Sequence, residues 1–247
     1  MIAFARAVRR FGLPHWKTRK VPLRISRPIV SFTFDDFPRT ALTNGGLILR
    51  NYSARGTYYT AMGLMDTINH EGQHFCLQDL HDLLRDGHEL ASHTYSHCSA
   101  LENELAQFSS DAQRGESEIC QIRGCGVPGN FSYPYGNVSF SSKPAIGGQM
   151  RSCRGIRPGI NAPFADLNLL LANSIYSHNF DLASIEALIR ENARQRGWLI
   201  FYTHDVRETP SDFGCTSSQF ESVVRAATQS GAQILTVAQA LDVLQPA

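Results

Sequence analysis

The sequence lacks the features that would assign it to several large classes of protein. No apolar run approaches the roughly 18 residues that a membrane-spanning helix requires. The formal net charge is only +1, whereas a nucleic-acid-binding surface is expected to carry a strong basic excess. The six cysteines include no CxxC pair, which argues against a structural zinc site and a thioredoxin-type redox motif. We therefore expect free thiols, no transmembrane segment and no nucleic-acid partner.

The N-terminal segment is basic without being apolar. It has no stretch long enough for the core of a signal peptide, and we therefore expect a cytoplasmic location. We interpret residues 1–27 as a basic extension, either solvated or in weak contact with an anionic membrane surface. Its cationic residues are Arg6, Arg9, Arg10, Lys17, Arg19, Lys20, Arg24 and Arg27.

Residues 28–247 alternate short β-rich runs with helical patterns, and 43% of the whole chain is hydrophobic, enough for a full core. Such alternation indicates parallel βα units in a single α/β domain. The number of units favours a closed or nearly closed barrel. The predicted helices are Leu77–Leu84, Leu101–Ile122 and Leu182–Arg194, the last beginning at Asp181. The predicted strands are Ile29–Phe34, Gly56–Ala61, Glu89–Ser92, Asn130–Tyr133, Ser152–Arg157, Leu169–Ile175, Trp198–Thr203 and Gln233–Val237.

Polar residues cluster where these strand-like runs end. In a parallel α/β barrel the carboxyl ends of all strands meet on one face, where active sites form. We therefore expect distant parts of the chain to converge in one pocket. The residues concerned are Asp35, Asp36, His93, Tyr135, Arg157 and His204.

Asp35 and Asp36 close the first strand, and Phe37-Pro38 follows them. Adjacent side chains on a regular strand point to opposite faces, so both carboxylates can serve one site only where the strand gives way to a loop. Proline provides that break because it cannot continue the ladder. A plain Asp pair in a turn is the alternative interpretation of this string taken alone.

His93 and His97 have a spacing that would place both imidazoles on one side of a helical turn. One Asp and these two His make a three-ligand set for a divalent metal, with positions open for water and substrate. The second Asp is left beside the metal, where a general base would stand. The other histidines of this region, His70, His74 and His81, are interpreted as solvated or local helix residues.

Two further strings would complete a hydrolytic site. Tyr133-Pro134-Tyr135-Gly136 is a strand running into a tight turn, which can aim a backbone N–H at a developing oxyanion. His204 stands at the tip of the apolar run Leu199–Thr203 and is a candidate general acid for a leaving amine.

These strings, in this order, resemble the polysaccharide deacetylase family, the carbohydrate esterases with a NodB-homology domain. The resemblance covers about residues 28–240. It implies a distorted (β/α)7-type, TIM-like barrel and a metal-dependent removal of acetyl groups from N-acetylated sugars. The strings that carry it are Thr33-Phe34-Asp35-Asp36, His93-Thr94-Tyr95-Ser96-His97, Tyr133-Pro134-Tyr135-Gly136 and Thr203-His204.

The resemblance also implies roles for individual residues. Asp36, His93 and His97 would bind one divalent metal, for which zinc is favoured and cobalt, nickel and manganese suit the same ligands. Asp35 would be the base, His204 the acid, and the backbone N–H of Tyr135 an oxyanion donor. An N-acetylated sugar or glycan would be the substrate, with contacts to Phe37, Pro134 and Tyr135.

This chain departs from the family pattern in three places. Phe37 replaces a Gly after the two Asp, and we expect it to restrict the pocket. Ser132 stands where the family has an Arg that orients the base. The fourth motif lacks its Asp and Trp, and residues 154–161 stand there instead.

We expect an arginine of the next strand to replace the one missing at Ser132 and to hold Asp35 by a charge-assisted hydrogen bond. Strand alternation puts Arg154 and Arg157 on opposite faces, and Arg157, nearer the predicted strand end, is preferred. Asp166 is the carboxylate that we expect to orient His204.

The sequence leaves two other functions open. One is hydrolysis of a small non-sugar amide, as in the allantoinase-like branch that this family resembles in fold. The other is a non-catalytic carbohydrate-binding relic of the deacetylase fold, which the altered motifs would support. The oligomeric state, the sugar and the acyl group are not determined by these motifs.

Overall fold

The computed structural model describes residues 12–245, and its centre is a curled sheet of parallel strands. The strands are β1 Lys20–Pro22, β2 Ile29–Asp35, β3 Thr57–Thr60, β4 Ile68–Asn69, β5 Gly72–Gln73, β6 Glu89–Ser92, β7 Asn130–Ser132, β8 Ser152–Arg154, β9 Phe164–Asp166, β10 Asn173–Ser174, β11 Trp198–Thr203 and β12 Gln233–Ile234. The sheet order is β10-β11-β2-β3-β6-β7-β8, and β12 also pairs with β2.

Helices follow most of these strands and pack on the outside of the sheet. The α-helices are Leu47–Asn51, Leu77–Arg85, Leu105–Arg123, Ser142–Gly147, Leu182–Gln195, Ser217–Gln229 and Val237–Leu244. The shorter helical turns are Leu13–His15, Ala41–Gly46, Met62–Leu64, Pro134–Gly136 and Ser177–Asn179. The fold is therefore the predicted single α/β domain with a (β/α)7-type curled sheet.

The predicted strand Leu169–Ile175 has two different partners. Leu170 bridges Arg154, the last residue of β8, whereas Asn173 and Ser174 form β10 and pair with β11. This segment therefore links the two ends of the sheet and draws it into a nearly closed barrel. A short chain that changes partners in this way cannot be recognised from its hydrophobic pattern alone.

Strand β2 is buried along its whole length, as is typical of a parallel strand covered on both faces. Val30, Phe32 and Phe34 point toward the outer helices, where Phe32 and Phe34 contact the ring of Phe220. The alternate residues point into the barrel and end at Asp35. This alternation explains why an acidic side chain at the last strand position faces the interior.

Helix starts follow ordinary capping chemistry. The Asp181 carboxylate accepts a hydrogen bond from the Ala183 N–H at 3.2 Å, as the predicted start at Asp181 requires. Thr216 and Thr236 form capping boxes for the last two helices. The helix predicted from Leu101 begins instead at Leu105, because Ser99 and Asn103 hold the preceding residues in a turn.

The described part of the N-terminal extension, residues 12–27, packs against the barrel. Strand β1 pairs with β9, and the Arg19 guanidinium donates hydrogen bonds to the carbonyls of Met150 and Arg151. Lys143 is fully buried, and its ammonium lies 2.8 Å from the Asp166 carboxylate and 3.1 Å from the Leu13 carbonyl. Of the basic residues for which a membrane contact is predicted, Arg6, Arg9 and Arg10 lie outside the described residues. Within residues 12–245, no helix is long and apolar enough to cross a membrane.

Candidate active site

Both aspartates at the end of β2 reach the same cavity because the backbone turns sharply there. Asp35 is the last strand residue, and Asp36 and Phe37 follow with φ of 59° and 60°. The Phe37 N–H donates to the Asp35 carbonyl at 2.6 Å and closes the turn. Two consecutive left-handed residues are uncommon outside glycine and concentrate at functional sites.

The two histidines converge through a loop and not through the predicted helical turn. Thr94 and His97 have φ of 65° and 55°, and the imidazole centroids of His93 and His97 lie 5.0 Å apart. Asp111, on the helix Leu105–Arg123, accepts from the N–H groups of Tyr95 and Ser96 at 2.9 and 3.0 Å. This carboxylate therefore fixes the loop that carries both imidazoles, a role that sequence analysis did not identify.

Asp36, His93 and His97 form a cluster that fits a divalent cation. The Asp36 Oδ1 lies 3.5 Å from His93 Nε2 and 3.1 Å from His97 Nε2. Within the described residues, this buried oxygen has no hydrogen-bond partner. The His93 Nδ1 lies 2.7 Å from the Ser132 carbonyl, so Nδ1 carries the proton and Nε2 presents its lone pair to the cluster.

The protonation states of these three groups also suit a cation. Burial lowers the pKa of His93 to about 3 and that of His97 to about 4, so both imidazoles are neutral at pH 7. Burial, followed by the charges of Glu71 and Asp35, raises the pKa of Asp36 well above its ordinary value. An ionised Asp36 carboxylate therefore needs a positive partner at this place, which a bound metal would supply.

Asp35 has its own cationic partner, and it is Arg154. The Arg154 guanidinium donates to Asp35 Oδ1, to Ser132 Oγ at 2.7 Å and to the Gly155 carbonyl at 2.9 Å. Burial raises the pKa of the Asp35 carboxyl, but the charge and the hydrogen bond of Arg154 lead the interactions that outweigh burial and hold it below its usual value. Asp35 is therefore ionised beside the Asp36-His93-His97 cluster.

The prediction that Arg157 is the arginine beside Asp35 was wrong, because Arg154 takes that place. Strand β8 ends at Arg154, three residues earlier than predicted, so the inward-facing arginine at the strand end is Arg154. Arg157 is exposed and lines a separate cavity beside Lys20 and Asp166. The sequence did indicate that the two arginines face opposite ways, and only the strand boundary decides which one meets Asp35.

His204 follows β11 and lines the same cavity as the Asp pair, with 12% of its side chain exposed. The expected partner Asp166 does not reach it, because that carboxylate is bound to Lys143 and to the Arg19 N–H. The carboxylate nearest His204 is Glu71, whose Oε1 lies 3.9 Å from His204 Nε2. Sequence analysis missed Glu71 because it lies between two-residue strands rather than at the end of a barrel strand.

The three predicted substrate contacts have different positions. Tyr135 has φ of 58° and 60% exposure, and its hydroxyl lies 3.1 Å from His97 Nδ1 at the cavity mouth. Phe37 is fully buried in the core, where its ring stacks 5.1 Å from that of Phe75, and it does not restrict the cavity. Pro134 is also buried and is not among the cavity-lining residues of the described chain.

His74 also departs from its interpretation as a solvated or local helix residue. It is fully buried, and its Nε2 lies 3.5 Å from the Glu71 carboxylate. His70, by contrast, is exposed at the cavity edge, and His81 is exposed on its helix.

The cavity has a volume of about 410 Å³. Its acidic and histidine side chains face a largely apolar wall, which suits a ligand with one reactive polar group and flat apolar faces. The residues of this wall are Leu64, Tyr135, Ile156, Tyr176, Tyr202 and Phe213.

A curled parallel sheet with an Asp-His-His cluster and a paired second Asp at its carboxyl edge is an arrangement typical of α/β hydrolases that use a metal. Comparison with known proteins narrows this class. The sequence model of the polysaccharide deacetylase family matches residues 24–146. The chain belongs to the polysaccharide deacetylase family, whose members are hydrolases acting on carbon–nitrogen bonds.

Solved structures similar to this chain share its fold at low sequence identity. The chitin deacetylase of Colletotrichum lindemuthianum is 20% identical over 87% of this chain and 88% of its own, with a TM-score of 0.59. A carbohydrate esterase domain of a xylanase from the Trinervitermes trinervoides hindgut metagenome is 18% identical over 88% and 91%, with a TM-score of 0.58.

A family 4 acetyl xylan esterase of Clostridium thermocellum, solved with a cobalt ion, is 16% identical over 85% of this chain and 89% of its own, with a TM-score of 0.58. A search of curated proteins finds no match.

Proposed function

We propose that this protein is a metal-dependent deacetylase that hydrolyses the N-acetyl group of a sugar and releases acetate. The observation that carries the proposal is that the two aspartates at the end of β2 have different partners. Asp36 lies with two neutral imidazoles in a cluster that fits a cation, whereas Asp35 is held ionised by Arg154 beside it. A pure metal-binding site would not need the second, separately compensated carboxylate.

Asp36, His93 and His97 would hold the metal. When bound, a divalent metal there polarises the acetyl carbonyl and acidifies the attacking water. The chitin deacetylase and the cobalt-bound esterase among the similar structures support both the acetylated sugar and the metal.

Asp35 is the base in the proposed reaction. Its carboxylate takes a proton from the attacking water as the oxygen of that water bonds to the carbonyl carbon. Arg154 is a positioning residue, because its fully buried guanidinium fixes the Asp35 carboxylate and keeps it ionised. The backbone of Tyr135, in its left-handed conformation at the cavity mouth, is the proposed oxyanion donor.

His204 is the acid in the proposed reaction. It lines the same cavity as Asp35 and gives a proton to the sugar nitrogen as the carbon–nitrogen bond breaks. The products are acetate and the free amine. A leaving amine needs this proton more than a leaving alcohol does, which favours an N-acetyl over an O-acetyl substrate. The apolar wall formed by Tyr135, Tyr176 and Phe213 would pack against the faces of the sugar.

The test is acetate release after reloading the metal-free protein with zinc, cobalt, nickel or manganese. The substrates would be N-acetylglucosamine oligomers, carrier-linked N-acetyl sugars, acetylated xylo-oligosaccharides and small amides such as allantoin. We expect metal-dependent release from an N-acetyl sugar, and a decrease of about 10²–10⁴-fold in Asp35→Asn, the range for loss of a general base. Turnover only on the small amides would favour the alternative amidohydrolase. No Asp35-dependent turnover on any substrate would favour the non-catalytic relic.

A further inference from the structure

We propose that Asp36, Glu71 and His204 form a second cation position, which shares Asp36 with the first and inhibits deacetylation when it is filled. The binding part of this proposal stands on geometry alone. The inhibitory part rests on the proposed function, because it concerns the acid role assigned to His204.

Glu71 reaches the cavity on a hairpin inserted between β3 and the helix Leu77–Arg85. Strands β4 and β5 form the arms of this hairpin, and the Glu71 N–H donates to Asn69 Oδ1 at 2.8 Å in the turn. The Asp66 N–H donates to the Phe75 carbonyl at 2.9 Å and closes the base of the hairpin. The Arg207 guanidinium donates to the His70 carbonyl at 3.1 Å and ties the tip to the loop after β11. Glu71 is therefore held in place by the fold.

One ligand atom from each of Asp36, Glu71 and His204 lies within 4.8 Å of the other two. Glu71 is 2% exposed and Asp36 is 6% exposed, so both carboxylates are removed from water. Among the described residues, Asp36 Oδ1 is a buried atom without a hydrogen-bond partner. Two buried carboxylates that face each other with so few donors form a site for a positive charge.

The orientation of Glu71 is also suited to a ligand. His74 lies behind it, with Nε2 3.5 Å from Glu71 Oε2, which leaves Oε1 toward His204. Glu71 Oε1 is therefore the oxygen that would bind a cation in the cavity.

Glu71 groups with His204 and not with His93 and His97, which separates this position from the first. A carboxylate shared between two cations is a common arrangement, in which the metals lie about 3.5–4 Å apart. Two carboxylate oxygens and one imidazole nitrogen suit manganese, zinc or cobalt.

Inhibition follows from the chemistry of one atom. His204 Nε2 faces Glu71 and the cavity, and it is the nitrogen that would carry the proton for the leaving amine. A nitrogen whose lone pair coordinates a cation cannot also hold that proton. Filling the second position therefore removes the proposed acid while leaving Asp35 and the first metal in place.

The direct test counts cations on the full-length protein. Metal-free wild type, Glu71→Gln and the control Glu104→Gln, which replaces an exposed helix-start carboxylate, would be dialysed against about 1 mM manganese or zinc, and bound metal measured by mass spectrometry. We expect two cations per chain in wild type and in Glu104→Gln, and one in Glu71→Gln. His204→Asn should also bind one, which keeps the test decisive if Glu71→Gln does not fold.

One cation in the wild type, or two in a folded Glu71→Gln protein, would overturn the proposal. Acetate release measured against metal concentration then tests inhibition. Wild-type turnover should rise as the first position fills and fall as the second fills, whereas Glu71→Gln should rise without the fall. A fall of equal size in both proteins would overturn the inhibitory role. Two cations in wild type and one in Glu71→Gln, with no turnover in either, would refute the proposed function and leave the second position standing.

Discussion

Replacing Arg154 with methionine removes the cation that compensates Asp35 while keeping most of the side-chain volume. Arg154 is fully buried, and so is Asp35 apart from 5% of its side chain. Removing one partner of a buried ion pair typically costs about 3–5 kcal/mol, because the remaining charge is left without compensation. We therefore expect Arg154→Met to lower the free energy of unfolding at pH 7 by about that amount.

The pH dependence has a definite sign. In the wild type, Arg154 outweighs burial and holds the pKa of Asp35 below its ordinary value of 3.8, so the stabilisation is present above that pH and is lost as the pH falls through the folded value. Without Arg154, burial dominates and the pKa of Asp35 rises. The acid limb of the plot of kcat/KM against pH should therefore move to higher pH in Arg154→Met.

The assay is acetate release across the pH range, combined with denaturant unfolding and bound-metal analysis. We expect kcat to fall about 10²–10⁴-fold, as for loss of a general base, while one cation is still held by Asp36, His93 and His97. Arg157→Met is the matched control, because Arg157 is exposed away from the active-site cavity, and it should behave as wild type. Near-normal turnover with an unmoved acid limb in Arg154→Met would refute the assignment.

Three further predictions concern stability and metal retention. Phe37→Ala should lower the free energy of unfolding by about 3–5 kcal/mol but retain turnover per folded molecule, because the ring lies in the core. Unchanged stability in denaturation together with lost acetate release would contradict this. Gly115→Ala should lower the free energy of unfolding by about 1–3 kcal/mol and weaken metal retention, because the added Cβ would lie 2.5 Å from the Thr94 carbonyl oxygen in the loop that carries His93 and His97. Gly126→Ala is the control, because there is open space around Gly126. Equal metal affinity and stability in the two variants would refute the reasoning. Burial lowers the pKa of His88 from 6.5 to about 4, so His88 of the unfolded chain binds a proton at a higher pH than His88 of the folded protein. The folded protein should therefore lose about 3 kcal/mol of stability through His88 as the pH falls from 6.5 to about 4. Denaturation curves with the same pH dependence in wild type and His88→Gln would exclude this.

The Asp36-His93-His97 cluster was predictable because Asp36 and His93 follow recognisable strand-like runs. Asp36 and His93 end such runs, and parallel strands bring their carboxyl ends to one edge. The local backbone was not predictable to the same degree. The loop of His93 to His97 depends on positive φ at Thr94 and His97 and on the distant Asp111 carboxylate, neither of which a spacing rule contains.

The sequence by itself determined the α/β class, and it predicted the Asp36-His93-His97 cluster and an arginine beside Asp35. These properties depend on local hydrophobic pattern, residue type and motif order. Tertiary structure alone decided that Arg154 meets Asp35, that Phe37 belongs to the core, and that Glu71 enters the cavity opposite His204. The reason is physical. A strand that ends three residues earlier, or a hairpin that folds over a barrel mouth, changes which side chains meet without changing the hydrophobic pattern along the chain.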